Sequence, residues 1–355
     1  MILLAPYDEY VSRLEDLGFR VVTVNMHRKG LNPIRELILL LQIFRIYRSL
    51  KPTAVFNFTI KCVVYGSFAA MLSGIKSRIN AVAGLGTIFT NTGVKYRILK
   101  PAISGLLRLA LCGRSNRLIV QNTDDLAVFI DNGIVHAERV TLIRGSGVCA
   151  QRFTPAYEEH DTQDDKVRVL FAARLLWAKG LSDFIKLAEK NEHRKNVEFL
   201  IAGEPDLGNP DSATSIDQAL WAEQPNVKVL GHVDDMPKLL TSVDIVCLPS
   251  NYGEGVPRIL VEAAATGLPL VGYDIPGTRE IITDGKNGFL ASSQDFVALS
   301  RGIHVLIDEP AVRLRFGKAS RLIFMKSFDA ESVNRRSIDV IESALDMPSL
   351  SQVAE

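Results

Sequence analysis

Short runs rich in Val, Ile and Leu alternate with segments of helical period along almost the whole chain, and the alternation runs twice, once on each side of a polar stretch at 154–166. Strand, helix, strand repeated in this way is the parallel α/β unit, and it excludes both all-helical and all-sheet folds. The first run places strands at Ile2–Ala5, Val21–Asn25, Ala54–Thr59, Arg78–Ala83, Leu118–Gln121 and Val140–Ile143. Helices are expected between them at Asp8–Leu17, Pro33–Ser49, Val64–Ser73, Val94–Leu111 and Asp124–Asp131. The second run places strands at Val167–Ala173, Val197–Ala202, Val227–Leu230, Asp244–Leu248 and Leu268–Gly272. Its helices fall near Leu181–Lys190, Ser215–Trp221, Met236–Ser242, Ile259–Ala265 and Ser293–Leu306, and two more, Ala311–Phe324 and Ala330–Ala344, close the chain.

A chain of 355 residues is too long for one ordinary core. The fold class read from it is α/β, with two Rossmann-like doubly wound domains. The first covers 1–153, a linker 154–166, the second domain 167–328, a C-terminal helix 329–347 that packs back toward the first domain, and a tail 348–355. Open parallel sheets bind ligands beyond the carboxyl ends of their strands, so chemistry belongs in the loops that follow strands.

Charge divides the same way. Residues 1–150 hold 19 Lys and Arg against 9 Asp and Glu, a net of +10, which leaves 22 against 31, a net of −9, for the rest. Between Glu36 and Asp124 there are twelve basic residues and no acidic one. Such a surface attracts phosphates, and because its cations are interleaved with aliphatic helices rather than exposed aromatics, an anionic membrane or lipid phosphate suits it better than nucleic acid. A merely solvated face is the alternative. The most apolar stretch, Leu37–Ile46, is broken by Gln42 and Arg45 and falls short of a membrane span, so attachment is expected to be peripheral. Cysteines at 62, 112, 149 and 247 have neither metal-site nor redox spacing, which suits a reducing cytoplasm.

Two glycine sets test for dinucleotide binding. Gly145-Ser146-Gly147-Val148-Cys149-Ala150 matches G-x-G-x-x-A, but Gln151–Pro155 leads into the linker and offers a phosphate no helix terminus. Gly84-Leu85-Gly86 lacks a third glycine, so both sets read as turns. Neither Asp-x-Asp nor His-Glu-x-x-His occurs, the histidines are scattered, and no metal is expected; His232 alone follows a strand where a ligand would bind.

The second half carries stronger signals. Arg174 ends the strand Leu170-Phe171-Ala172-Ala173, and Lys179-Gly180 stands just before the next helix. Two cations in one strand-to-helix loop suit a diphosphate leaving group, although a surface pair satisfied by carboxylates has the same pattern. Asn251-Tyr252-Gly253-Glu254-Gly255-Val256-Pro257 then makes a tight loop after a strand, with Pro257 opening a helix that contains Glu262. Carboxylates so placed can accept hydrogen bonds from vicinal hydroxyls.

Arg174 with Lys179, then Glu254 and Glu262 within EGVPRILVEAAATGLPLV, resembles the retaining, metal-independent nucleotide-sugar glycosyltransferases of GT-B fold, the glycogen-synthase-like group. RKGLNPIREL, FTIKCVVYGSFAA, GLGTIF and LIRGSGV are similar to a bacterial subgroup that builds capsule, O-antigen and glycan precursors on polyprenyl diphosphate. The resemblance covers nearly the whole chain. It implies that Arg174 and Lys179 hold the diphosphate of a UDP-sugar, that Glu254 meets the donor sugar amid the backbone of Gly255, Val256 and Pro257, and that Glu262 binds the ribose. Gly203, Glu204 and the His232 loop would lie near the nucleotide, while Thr59, Lys61, Gly84, Leu85 and Gly86 would face a polyprenyl-diphosphate-linked acceptor. Implied besides are no cofactor and no metal, no nucleic acid, retention of configuration, and work at the inner face of the plasma membrane. A nucleotide-sugar-binding remnant without turnover, or a sugar-nucleotide epimerase of the same fold, would share these motifs. Members of the family begin with a strand, a glycine loop and a helix ahead of a segment like Ile2–Ala5. The first domain is therefore expected to be one βα unit short, about 30 residues, with Ile2–Ala5 beside a vacant sheet position.

Overall fold

The computed structural model describes residues 1–8, 10–26, 32–85, 94–155 and 166–345, without the side chains of 94–98. Gly86, most of the expected linker and the tail lie outside the described residues.

The first domain runs β1 (Ile2–Ala5), α1 (Tyr10–Asp16), β2 (Arg20–Thr23), α2 (Pro33–Leu50), β3 (Ala54–Phe58), α3 (Ile60–Leu72), β4 (Ser77–Val82), α4 (Val94–Ala110), β5 (Asn116–Val120), α5 (Thr123–Asp131) and β6 (Val140–Leu142). Strands β3, β4, β5 and β6 form a parallel sheet in that order, and β1 and β2 pair in a parallel sheet of their own. Asn32 starts α2 by accepting hydrogen bonds from the Ile34 and Arg35 N–H groups, with Pro33 in the first turn, and Lys51 ends it in the left-handed conformation. Helix α3 begins at Ile60, four residues before the apolar period at Val64 announces it, directly after Thr59. Helices α2 and α4 both pack against α3.

A buried amide ladder crosses the first sheet. Asn57 Nδ2 donates to Asn80 Oδ1 at 2.9 Å, Ser67 Oγ donates to the same oxygen at 3.1 Å, and Asn80 Nδ2 donates to Asn116 Oδ1 at 3.0 Å. All four side chains are buried, so each group depends on its neighbours rather than on water. Replacing Asn80 by Leu strands partners on three elements and is expected to cost about 3–5 kcal/mol. Urea unfolding of the variant measures this; a change below about 1 kcal/mol would mean the ladder is not holding the sheet.

The second domain runs β7 (Val167–Ala172), α6 (Leu181–Lys190), β8 (Val197–Ala202), α7 (Ser215–Ala222), β9 (Val227–Gly231), α8 (Met236–Leu240), β10 (Ile245–Leu248), α9 (Arg258–Thr266), β11 (Leu270–Tyr273), β12 (Gly288–Ala291), α10 (Phe296–Asp308) and α11 (Pro310–Ser327). Its six strands are parallel in the order β12-β11-β10-β7-β8-β9. Val169, Leu170 and Phe171 of β7 have no exposed surface, as expected of a central strand covered on both faces. Phe184 of α6 sits against Phe171 and Phe199, with ring centroids at 5.4 and 5.5 Å. Strand β12 was not among the expected strands.

From β7 the chain moves outward to β8 and β9, then returns to β10 on the other side and continues to β11 and β12. The topological switch point is therefore the boundary of β7 and β10, where the loops after the two strands diverge and leave a crevice. A final helix, α12 (Ala330–Ala344), packs on the first domain through Val333, Val340 and Ala344 against Ile79, Ala81, Ile119 and Ile143. Arg117 of β5 donates to the Ser343 hydroxyl and carbonyl oxygens. The end of the chain thus ties both domains together.

Candidate functional site

The loop after β7 contains Arg174, then a 3-10 turn at Trp177–Lys179, and the loop after β10 contains Glu254. They meet at the switch point. Lys179 Nζ lies 2.6 Å from Glu254 Oε1 and 5.2 Å from the centre of the Tyr252 ring, and Lys179 is buried. Its position depends on Gly180, whose φ of +88° suits the left-handed region and whose missing Cβ would fall 2.0 Å from the Pro249 carbonyl oxygen. A side chain there would push the two loops apart.

Arg174, at the same strand end, is exposed and pairs with Asp206 at 2.7 Å. Asp206 also accepts from Asn209 Nδ2, so an acidic loop after β8 holds the guanidinium. Gly203 and Glu204 stand beside this loop: Gly203 N–H donates to the Gly231 carbonyl, and the Glu204 carbonyl accepts from Leu175 N–H. Glu262, one turn into α9, is buried and accepts from Arg258 Nε at 2.7 Å. Burial pushes its carboxyl up, against the pull of Arg258. Pro257 is the N-cap residue of α9, so that helix presents its positive end at the crevice.

His232 follows Gly231, whose carbonyl accepts from Gly203 N–H. It follows β9, the edge strand two positions from the switch point, and its exposed ring contacts Asp234 at 3.2 Å.

Of the expected acceptor-side residues, Gly84 approaches the same loop from the first domain. Gly255 N–H donates to the Ala83 carbonyl at 3.0 Å, and a Cβ on Gly84 would lie 3.0 Å from the Glu254 carbonyl carbon. The backbones of the two domains thus touch at the residue that pairs with Lys179. Leu85 is buried, and its N–H donates to Asp125 Oδ1. Thr59, at the carboxyl end of β3, has φ +74°, a strained conformation for a β-branched residue. Lys61, two residues on, pairs with Glu36 at 2.7 Å.

Sequence reasoning missed the residues that join the domains. Glu280, after β11, accepts from both the N–H and the hydroxyl of Thr123 at 2.6 Å and from Arg144, all across the interface. Burial alone raises its carboxyl, but those donors outweigh it and hold Glu280 below the usual carboxylate range. Its neighbour Arg279 reaches Asp124 at 2.8 Å and Asp274 at 2.7 Å. Asn122 caps α5 through Asp125 N–H, and its side-chain amide donates to the Asp125 carboxylate and the Glu254 carbonyl.

Asp125 itself is pushed up to about 6, chiefly by burial. A folded pKa above the unfolded value means that the stability it contributes is complete below about pH 4 and is lost as pH rises through about 6. The stability difference between Asp125→Asn and the unsubstituted chain should therefore move in the variant's favour over that interval, and denaturation at several pH values reads it. A pH-independent difference would show that Asp125 titrates normally.

Among the described residues no three His, Cys, Asp or Glu side chains gather as a metal site. A surface cavity of about 420 Å³, lined by Lys190, Arg301, His304 and Asp308, lies between α6 and α10, away from the crevice. The crevice therefore offers a buried ammonium, a facing carboxylate, a helix N-terminus and the Arg174 guanidinium within loops of one sheet. That set can hold a diphosphate and a polyhydroxylated group side by side.

Comparison with known proteins bears on the same regions. Residues 154–322 match the family model described as glycosyl transferases group 1, and residues 3–122 match glycosyl transferase 4-like. The chain is 28% identical over 327 residues to the N,N'-diacetylbacillosaminyl-diphospho-undecaprenol alpha-1,3-N-acetylgalactosaminyltransferase of Campylobacter jejuni, covering 90% of this chain and 84% of that one. It is 23% identical over 297 residues to the UDP-Gal:alpha-D-GlcNAc-diphosphoundecaprenol alpha-1,3-galactosyltransferase of Escherichia coli, covering 81% of this chain and 74% of the relative. In fold it is similar to HepE of Anabaena, solved in complex with UDP, with a TM-score of 0.77 at 19% identity over 96% of this chain and 92% of that one.

Proposed function

The chain belongs to the group 1 glycosyl transferases of GT-B fold, and from that membership we propose that it moves a hexose or N-acetylhexosamine from a UDP-sugar to a polyprenyl-diphosphate-linked saccharide in bacterial surface-polysaccharide assembly. The Campylobacter and Escherichia relatives are named for acceptors on undecaprenyl diphosphate, the second for a UDP-sugar donor, and this chain takes substrates of the same classes. The observation that carries the reading is the Lys179–Glu254 pair at the switch point of the second sheet, against the first-domain turn at Ala83–Gly84.

Donor diphosphate occupies the space beside Lys179, Arg174 and the N-terminus of α9. To receive it, Arg174 exchanges Asp206 for phosphate oxygens, and Glu262 exchanges Arg258 for ribose hydroxyls. Glu254 then turns to the hydroxyls of the donor sugar. In the reaction the bond between the anomeric carbon and the UDP oxygen breaks, and the acceptor hydroxyl forms the new bond on the same face, with retention. Its proton passes to the departing diphosphate, whose growing negative charge the Lys179 ammonium stabilises without a metal.

Acceptor-dependent release of UDP tests the assignment. Release only when a lipid-linked saccharide accompanies the UDP-sugar supports transfer. UDP binding without release would indicate a remnant, and isomerisation of the donor without acceptor would indicate an epimerase. No helix among the described residues is long and apolar enough to cross a membrane. The enzyme meets its lipid-linked acceptor by peripheral docking at the cytoplasmic face.

A further inference from the structure

Helix α2 is apolar on two opposite faces. Leu39, Ile43 and Tyr47 are buried against the domain. On the far side Ile34, Leu37, Ile38 and Leu41 are 70, 56, 56 and 45% exposed. Their spacing of i, i+3, i+4 and i+7 makes one stripe, and Arg45 and Arg48, both exposed, continue it along the helix. Aliphatic side chains in water at this density mark an interaction surface.

We propose that this outer face of α2 is the bilayer-docking surface, with the aliphatic half entering the acyl boundary and Arg45 and Arg48 reaching anionic headgroups. The inference rests on the membrane-docking reading above. Three observations select lipid as the occupant. The first is charge: the segment from 37 to 123 has no acidic residue, although Arg78 is buried and Lys61 is paired, so fewer than its twelve cations serve the surface. The second is position. Glu36, in the first turn of α2, pairs with Lys61 at the start of α3, so the aliphatic half lies at the strand ends where the acceptor is expected and where its polyprenyl chain must leave the protein. The third is asymmetry along the stripe: a second copy docked by a two-fold axis would set the arginines against each other or against the partner's aliphatic half. A bilayer boundary satisfies both halves at once.

Flotation with phosphatidylglycerol-containing or pure phosphatidylcholine vesicles tests the proposal on the full chain. The double variant Leu37→Gln/Ile38→Gln should lose at least about tenfold in partitioning to both, because two exposed side chains no longer gain from burial. Arg45→Gln/Arg48→Gln should weaken binding only to the phosphatidylglycerol vesicles and flatten its salt dependence. With a water-soluble, short-chain acceptor both variants should turn over within about twofold of the parent, while a vesicle-borne long-chain acceptor should expose the loss. Unchanged flotation of the Leu37→Gln/Ile38→Gln variant would overturn the proposal, as would a parent dimer by light scattering that this variant converts to monomer without altering flotation. Failure of the proposed reaction would abolish turnover with either acceptor and leave the vesicle readout intact, so the two claims fail separately.

Discussion

Replacing Lys179 by alanine is expected to lower turnover by about 10²- to 10³-fold, equivalent to about 3–4 kcal/mol of transition-state stabilisation. The size follows from where the ammonium sits. It is buried in a loop fixed by Gly180 and Pro249, so it reaches the leaving diphosphate already oriented and with little water to reorganise. Affinity for the UDP-sugar should change less than turnover, because Arg174 and the α9 N-terminus remain and charge on the diphosphate is greatest in the transition state. Removing the lysine relieves Glu254 of its partner, but that carboxylate is partly exposed and can take up water, so the fold should persist. Steady-state kinetics with separate kcat and KM decide it. A kcat within about threefold of the parent would remove Lys179 from the chemistry.

Glu280→Ala should loosen the two domains, costing about 2–4 kcal/mol. The Glu280 side chain is 3% exposed and accepts three hydrogen bonds from the first domain, whereas its partner Arg144 is one-third exposed, which keeps the figure below that of a fully buried pair. Thermal unfolding should divide into two transitions or shift down as a whole, and kcat should fall because Ala83 and Gly84 no longer press on the Glu254 loop. Glu280→Gln, which keeps an acceptor for Thr123 but loses the charge facing Arg144, should lie between. Because donors hold the Glu280 carboxyl low, its contribution is present above the ordinary carboxylate pKa and is lost only as pH falls below it. If Glu280→Ala left both unfolding and activity unchanged, the interface would be held elsewhere, with Arg279 and α12 the next candidates.

How much of this was legible in the sequence depends on the range of the forces involved. Strand β7 could be read because a central parallel strand must be apolar on both faces, and Val169-Leu170-Phe171 is. Strand β12 could not: Gly-Phe-Leu-Ala is too short to show a period, and it exists because it pairs with Leu270–Tyr273. Helix α10 starts three residues later than its apolar pattern suggests because Asp295 caps it through Ala298 N–H. The Lys179–Glu254 pair was within reach, since each residue lies in a loop after a strand and only the strand order was needed to join them. Glu280 and Thr123 are 157 positions apart and share no local signal, so their contact belongs to the docking of two finished domains. The Asn57–Asn80–Asn116 ladder was hidden for a related reason: each asparagine sits on a different strand, and only the pairing of the strands shows that they satisfy one another.

The central claim is that a sugar leaves UDP at the Lys179–Glu254 crevice and arrives on a lipid-linked saccharide. Mass spectrometry of a polyprenyl-diphosphate-linked acceptor, incubated with the purified chain and each of a set of UDP-hexoses and UDP-N-acetylhexosamines, tests it most directly. The account predicts that one donor extends the acceptor by a single sugar residue, with its diphosphate intact and UDP formed in equal amount, and that Lys179→Ala slows this without changing the product. An unextended acceptor beside an isomerised UDP-sugar, or an acceptor that gains sugar phosphate with release of UMP, would contradict it.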